Sequence, residues 1–179
     1  MKKLVCLSAS ILLASMSNVA LSSDGTITIN GKVTDTTCNI SVNGGNASNT
    51  VTLPTVSASA LAAVGATATP TPFTIVLSGC TGQAQNSAST FFESGINVDA
   101  NSGRLNNVST DQPAGNVQVQ LLNKNRGVIN IGSALEQGDI WTDFTADSTI
   151  MTYIAQYYAT DAATAGNLTT SVTYSVVYK

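Results

Sequence analysis

The stretch that decides the fold is Gly25–Val33, which reads GTITINGKV. Apolar residues or glycine alternate with polar residues along it, which is the period of a β-strand that buries one face. The chain ends on a second alternating stretch, Val172–Lys179, which reads VTYSVVYK. A lone alternating strand must cover its apolar face with a sheet of its own chain or of a neighbour's. We expect the first stretch to serve a neighbour.

The residues before this stretch have the features of a secretory signal peptide. Lys2 and Lys3 form a basic start, Leu4–Leu13 is largely apolar, and small residues lead to an expected cleavage after Ser22. The apolar run is too short to span a bilayer. The predicted organisation is a signal peptide over residues 1–22, an N-terminal extension over 23–33 and one domain over 34–179.

Composition and charge exclude some classes of function. The chain of 179 residues has a net charge of −3, which becomes about −5 when Lys2 and Lys3 leave with the signal. No basic cluster remains to neutralise phosphates, so we expect no nucleic-acid partner. The richness in Thr, Ser, Ala, Asn and Val suits a sheet protein better than a disordered one.

Two cysteines, Cys38 and Cys80, remain after Cys6 leaves with the signal. In an exported chain they most simply form one disulfide. The alternative is a metal or redox pair. The chain has no histidine to complete a typical zinc site, and the spacing is not Cys-x-x-Cys, so the disulfide is favoured.

Short runs with β-strand patterns, separated by turn residues, predict an all-β protein. Strands are predicted at Val33–Val42, Val51–Leu53, Phe73–Leu77, Thr90–Val98, Val117–Leu122, Val128–Ile131, Ile150–Ala159 and Leu168–Lys179. Ser57–Val64 is expected to form at most two helical turns, Thr67–Pro72 an extended linker because of its prolines, and Gly82–Ser89 a polar loop. The predicted fold is an immunoglobulin-like antiparallel β-sandwich.

The sequence offers no catalytic, cofactor-binding or metal-binding constellation. Without histidine, a Ser-His-Asp or Cys-His arrangement is impossible. Asp99–Gly103 faintly suggests a calcium loop, but its glycine comes one position early and Thr110 stands where a glutamate is needed. Asp139, Asp143 and Asp147 could form a metal cluster, but we favour loop acids around an aromatic packing site. We expect no enzyme and no cofactor.

In their order along the chain, several motifs resemble the major subunits of chaperone–usher fimbriae, the type 1-like fimbrial proteins of Gram-negative bacteria. They are ITINGKV at 27–33, DTTC at 35–38, VTLP at 51–54, FTIVLSGC at 73–80, AQYYA at 155–159, then Gly166 and the penultimate Tyr178. Each is weak alone, but their order, the cysteine positions and the two terminal strands make the resemblance specific.

The resemblance implies a sandwich that lacks its last strand and is completed by a chaperone or by a donor strand from a neighbouring subunit. The implied groove runs beside the C-terminal strand and is lined by Gly166, Val172, Tyr174, Val176 and Tyr178. Gly166 is expected to allow the turn before this strand through a positive φ. The implied donor residues, which enter a neighbour's groove, are Ile27, Ile29, Gly31 and Val33.

By this resemblance, the function is that of a structural subunit of an extracellular adhesive fimbria that polymerises head-to-tail by donor-strand exchange. The implied partners are copies of itself, a periplasmic chaperone, an outer-membrane usher, and fimbrial adhesin or adaptor subunits. Two alternatives stay open, a minor or adaptor subunit and a carbohydrate-binding adhesin. The adhesins of this family carry an extra N-terminal domain, for which this chain is too short.

Overall fold

The computed structural model describes residues 27–33, 35–82, 86–133, 137 and 140–179. The chain divides after Val33 into two units. In the second unit the strands are β1 (Thr37–Val42), β2 (Thr67–Thr81), β3 (Ser87–Phe92), β4 (Leu105–Asn106), β5 (Val117–Asn123), β6 (Thr142–Asp143), β7 (Thr149–Ala159) and β8 (Tyr174–Tyr178). The predicted signal peptide and residues 23–26 of the predicted extension lie outside the described residues.

The strands form two antiparallel sheets that bury a common core. The larger sheet has the order β1-β2-β7-β5-β4, and the smaller has the order β6-β3-β8. Alternate residues of β7, among them Met151 and Tyr153, are buried, and the ring of Phe92 from β3 meets that of Tyr153 edge-on with centroids 5.1 Å apart. The predicted antiparallel sandwich is confirmed. No helix among the described residues is long and apolar enough to cross a membrane.

The disulfide ties two strands of the larger sheet. Cys38 in β1 is bonded to Cys80 in β2, as the sequence predicted. β1 pairs with β2, and with no other strand of the described residues, through residues 75–81 of β2. An edge strand held through one ladder has fewer backbone bonds than a central strand, and the covalent link adds to that ladder.

The predicted linker Thr67–Pro72 is wrong, because these residues form the first half of β2. Pro70 and Pro72 lack the N–H that a central strand must donate to both neighbours. Here β2 pairs with β7 along residues 67–77, while β1 reaches only residues 75–81. The prolines therefore lie where one edge of β2 has no ladder, and the register shifts beside them, where Thr69 has a φ of 47°.

Three other predictions differ from the structure because contacts distant in sequence override local patterns. Val51–Leu53 forms no strand, and its apolar side chains instead pack on the core. The helix predicted at Ser57–Val64 is one 3-10 turn, Ala58–Leu61, capped by the Ser57 side chain. β3 begins at Ser87, inside the predicted loop Gly82–Ser89, and its small polar residues are buried by the facing sheet.

The predicted strand Leu168–Lys179 is also shorter than expected, since β8 begins only at Tyr174. In the residues before β8, backbone carbonyls accept hydrogen bonds from loop residues instead of from a neighbouring strand. Val108 N donates to Thr169 O at 2.8 Å, and Asn97 Nδ2 donates to Ser171 O at 3.3 Å. Because β3 ends at Phe92, residues 168–173 have no continuous neighbour among the described strands with which to form a ladder.

Candidate functional site

The edge of β8 presents backbone groups that no described strand pairs. β8 lies at the end of the smaller sheet and pairs only with β3 among the described residues. Ser87 and Lys179 exchange both backbone hydrogen bonds, and Glu93 N donates to Thr173 O. Because this pattern alternates in an antiparallel ladder, odd-numbered residues of β8 face β3, while Tyr174, Val176 and Tyr178 direct their N–H and C=O to the open side.

The side chains of β8 follow the same alternation. Val172, Tyr174, Val176 and Tyr178 are half-buried and pack against the core, whereas Ser175 and Val177 are exposed. Thus four of the predicted groove residues share one face of the terminal segment. Unpaired backbone groups beside an apolar face make this edge a template for a further strand.

The opposite wall of the site is the loop that follows β1. Asn49 Nδ2 donates to Val42 O at 2.7 Å, and Asn43 exchanges two bonds with the backbone of Thr74, as Asn43 N donates to Thr74 O and Thr74 N donates to Asn43 Oδ1. After this loop, Val51 and Leu53 turn their side chains toward the core. This wall was not predicted, because residues 51–53 have the pattern of a short strand.

A groove of about 880 Å³ opens between these walls. One wall is the segment 168–174, and the other is the segment 47–53. Core residues of both sheets form its floor: Phe73, Ile75, Phe92, Leu105, Val119, Leu121 and Ala155. An elongated apolar groove beside an unpaired strand edge suits an extended peptide, whose backbone can pair with the edge while alternate side chains are buried.

The structure places the predicted groove residues in different surroundings. Val172 and Tyr174 line the groove, whereas Val176 and Tyr178 lie beyond its end. Gly166 lines a second cavity of about 380 Å³ together with Leu61, Val117 and Tyr157. Of the five predicted groove residues, two therefore line the groove, two lie on β8 beyond its end, and one lines the second cavity.

Gly166 is required for a reason other than the one expected. It is absent from the glycines with positive φ. A Cβ at this position would instead collide with backbone atoms of Gln112, Pro113 and Ala114. Asn167, the next residue, forms an isolated bridge with Pro113, so the absence of a side chain lets two backbone segments approach closely.

The N-terminal segment exposes the side chains that were predicted to act as donors. In residues 27–33, Ile27 and Ile29 are about 90% exposed and Val33 is 98% exposed. A Cβ built on Gly31 would meet no atom within 4 Å. Three large apolar side chains within seven residues are exposed to water, which is unfavourable. Covering them with another surface lowers the free energy.

Burial raises the pKa of two tyrosines that line the groove and of one that lies beyond its end. The phenols of Tyr157, Tyr174 and Tyr178 have pKa values above the ordinary 10.0, because desolvation disfavours the phenolate. They are neutral hydrogen-bond donors at physiological pH. Their rings contribute apolar surface, and their hydroxyls retain the capacity to bond across the groove.

Asp99, the first residue of the segment considered as a calcium loop, has other partners. Asp99 Oδ2 accepts a bond from Gln118 Nε2 at 3.0 Å, and Asp99 Oδ1 accepts one from Asn101 N at 2.9 Å. These bonds, that of Gln118 first, lower the pKa of Asp99. Asp139 lies outside the described residues, and no group of three candidate ligands occurs within them.

Comparison with known proteins gives one consistent family. The profile of type-1 fimbrial protein A (FimA) matches residues 53–179. The major fimbrial subunit SMF-1 of Stenotrophomonas maltophilia (strain K279a) is 46% identical over 175 residues, covering 93% of this chain and 99% of that protein. The F17 fimbrial protein of Escherichia coli is 43% identical over 175 residues, covering 94% and 95%.

Solved structures with the same fold include pilus subunits. A chain from a chaperone–usher pilus matches with a TM-score of 0.59 at 19% identity, covering 88% of this chain and 96% of that chain. The P pilus rod subunit PapA matches with a TM-score of 0.58 at 17% identity, covering 79% and 99%. At these identities the likeness concerns the fold, the incomplete immunoglobulin-like sandwich, and confirms the predicted fold class.

Proposed function

This chain belongs to the family of type-1 fimbrial protein A, and we propose on that basis that its groove receives an extended segment of a neighbouring copy. As a member it is a structural subunit of a fimbria, exported to the cell surface through the chaperone–usher route, and not an enzyme.

The observation that carries the proposal is that two deficits adjoin along the C-terminal segment. One edge of β8 pairs with no described strand, and the groove, which meets β8 at Tyr174 and continues along residues 168–173, exposes the apolar floor of the sandwich. One added strand corrects both deficits, because its backbone completes the ladder and its alternate side chains fill the groove. A small compact ligand would cover the floor but leave the backbone of the edge unpaired.

The segment that fits this groove is the N-terminal extension, residues 23–33. Its described part carries Ile27, Ile29, Gly31 and Val33 in phase, and the large members of this set are exposed. The contact joins the extension of one copy to the groove of the next, so it is heterologous and propagates as an open fibre. Residues 34–179 then form the domain that receives the strand, and residues 1–22 are the export signal.

Other partners act at the same edge before assembly. A periplasmic chaperone occupies the groove of the unassembled subunit, and an outer-membrane usher is the place of exchange. Fimbrial adhesin or adaptor subunits are bound through the same kind of strand contact. An unpaired apolar edge aggregates if it is left uncovered, so a protein of this design needs a temporary occupant until the next copy arrives.

Two deletions test the proposal in cells that otherwise assemble the fimbria. Removal of residues 23–33 should leave export and chaperone binding intact and abolish fibres, as seen by electron microscopy and chaperone co-purification. Removal of Tyr174–Lys179 should abolish accumulation in the periplasm, because the chaperone loses the strand edge. Fibres of normal length from the first variant, or a normal yield of chaperone complex from the second, would contradict the proposed contact.

A further inference from the structure

One side chain bridges the two walls of the groove. Tyr174 belongs to β8 in the smaller sheet, and Ala47 belongs to the loop after β1 of the larger sheet. The hydroxyl of Tyr174 donates to the carbonyl oxygen of Ala47 at 2.7 Å. Both residues line the groove, so the phenol ring crosses its opening from one wall to the other.

Beyond Tyr174, side chains of β8 already pack against β1 of the larger sheet and against the residue that follows β6. The hydroxyl of Tyr178 lies 3.8 Å from Cys38 Sγ, and its ring is stacked on that of Phe144 with centroids 6.4 Å apart. Val176 is half-buried between the two tyrosines, and neither it nor Tyr178 borders the open groove. The groove is therefore open along residues 168–173 and closed from Tyr174 onward.

A strand cannot enter along β8 while this arrangement persists. Neighbouring strands of a sheet lie about 4.7–4.9 Å apart, and a strand added to the edge of β8 would run through the space that the ring of Tyr174 crosses. The ring must swing out and its hydrogen bond to Ala47 must break. Only then can the backbone groups of Val176 and Tyr178 also be paired.

We propose that Tyr174 is a latch, which holds the unoccupied groove half-closed through its bond to Ala47 and is released when a strand enters. The latch rests on the proposed strand-accepting function and adds a kinetic control to it. A hydrogen bond of this kind changes an equilibrium by a factor of roughly 2 to 10. The latch therefore slows strand entry by about that factor and favours occupants whose apolar side chains offset its release.

The rate of strand entry tests the latch. The mature chain, residues 23–179, is mixed at low concentration with an excess of a fluorescent peptide of residues 23–33, and binding is followed by anisotropy. Tyr174→Phe keeps the ring and removes only the hydroxyl, so it should bind the peptide about 2 to 10 times faster. Ser175→Ala is the matched control, because its hydroxyl donates to Glu93 at 2.6 Å on the opposite face of β8. The control should bind at the native rate.

A second variant tests whether the bond to Ala47 is the cause. Asn49 holds the loop that carries Ala47, since it donates to Val42 O at 2.7 Å and accepts from Thr50 N at 2.9 Å. Asn49→Ala should release the loop, so that Ala47 is no longer held in place to accept the bond from Tyr174. When Tyr174→Phe is added to the Asn49→Ala variant, it should therefore accelerate binding much less than it does in the native chain. Equal acceleration in both backgrounds would overturn the role of Ala47.

The outcomes separate the latch from the function on which it rests. If the native chain binds the peptide and Tyr174→Phe binds it at the native rate or more slowly, the latch is wrong and the proposed strand-accepting function stands. If the disulfide-bonded native chain and its Tyr174→Phe and Ser175→Ala variants, each monomeric by light scattering and folded by circular dichroism, all fail to bind the peptide, the proposed function is wrong and the latch fails with it.

Discussion

Truncation of one donor residue gives the sharpest test of the assembly contact. Ile29 is 89% exposed in the N-terminal segment, and the proposed insertion buries it completely. Ile29→Ala removes three carbon groups, each worth about 0.8 kcal/mol when buried. The peptide of residues 23–33 with this change should therefore bind about 2 kcal/mol more weakly, roughly a 30-fold loss of affinity.

The neighbouring residue is the matched control for this experiment. Thr28 lies out of phase with Ile27 and Ile29, so its side chain faces away from the groove in the proposed arrangement. Thr28→Ala should change the affinity by no more than about twofold. Unlabelled native and variant peptides compete with a labelled native peptide for the mature chain, and the ratio of their half-displacement concentrations gives the relative affinity.

Two results would refute this reasoning. If the Ile29→Ala peptide competes within about twofold of the native peptide, the side chain is not buried in the complex, and the alternating face does not make the contact. If Thr28→Ala loses as much affinity as Ile29→Ala, the opposite face of the segment enters the groove. A slip of one residue exchanges the two faces of a strand completely, so the pair of peptides determines the phase.

Three further results are expected. Gly31→Leu in the same peptide should slow its exchange with chaperone-bound subunit, because the added side chain has free space in the unbound segment but clashes with the groove on insertion. Exchange at the native rate would contradict the proposal that Gly31 faces the groove. The double variant Cys38→Ser, Cys80→Ser should lose about 4 kcal/mol of unfolding free energy in urea, given a separation of 42 residues. Tyr174 and Tyr178 have a raised pKa in the folded chain, so their contribution to the free energy of unfolding is complete below pH 10.0 and is lost as the pH rises through the folded pKa values. The absorbance of tyrosinate should therefore show that these two phenols ionise at higher pH in the folded chain than in the unfolded chain.

The strands with clear local patterns were predictable from the sequence. β7 was predicted from Ile150 to Ala159 and begins one residue earlier, because its alternating and aromatic residues suit a strand buried in a sheet. Cys38 and Cys80 lack a metal-binding pattern, and they form the expected disulfide. The family was also recognisable, because the order of short motifs survives although each motif is weak.

The errors arose where neighbours outside the local window decide the structure. Pro70 and Pro72 exclude a helix, but one edge of β2 before Ile75 pairs with no described strand, so the prolines can join this strand. Val51–Leu53 has the composition of a strand but pairs with no strand of the described residues. Gly166 is needed because Gln112–Ala114 packs against it, and no local pattern reports contact with a segment more than fifty residues away.

The sequence by itself determined the chemistry of the two terminal segments. The alternation in residues 27–33 and in Val172–Lys179 sets which side chains share a face, because that period is a property of the extended backbone. Only the tertiary structure decided which edge of β8 pairs with no described strand, which loop forms the opposite wall, and where the groove closes. The bond between Tyr174 and Ala47 joins residues 127 positions apart, and such a contact exists only once two sheets have packed and brought distant segments to one opening.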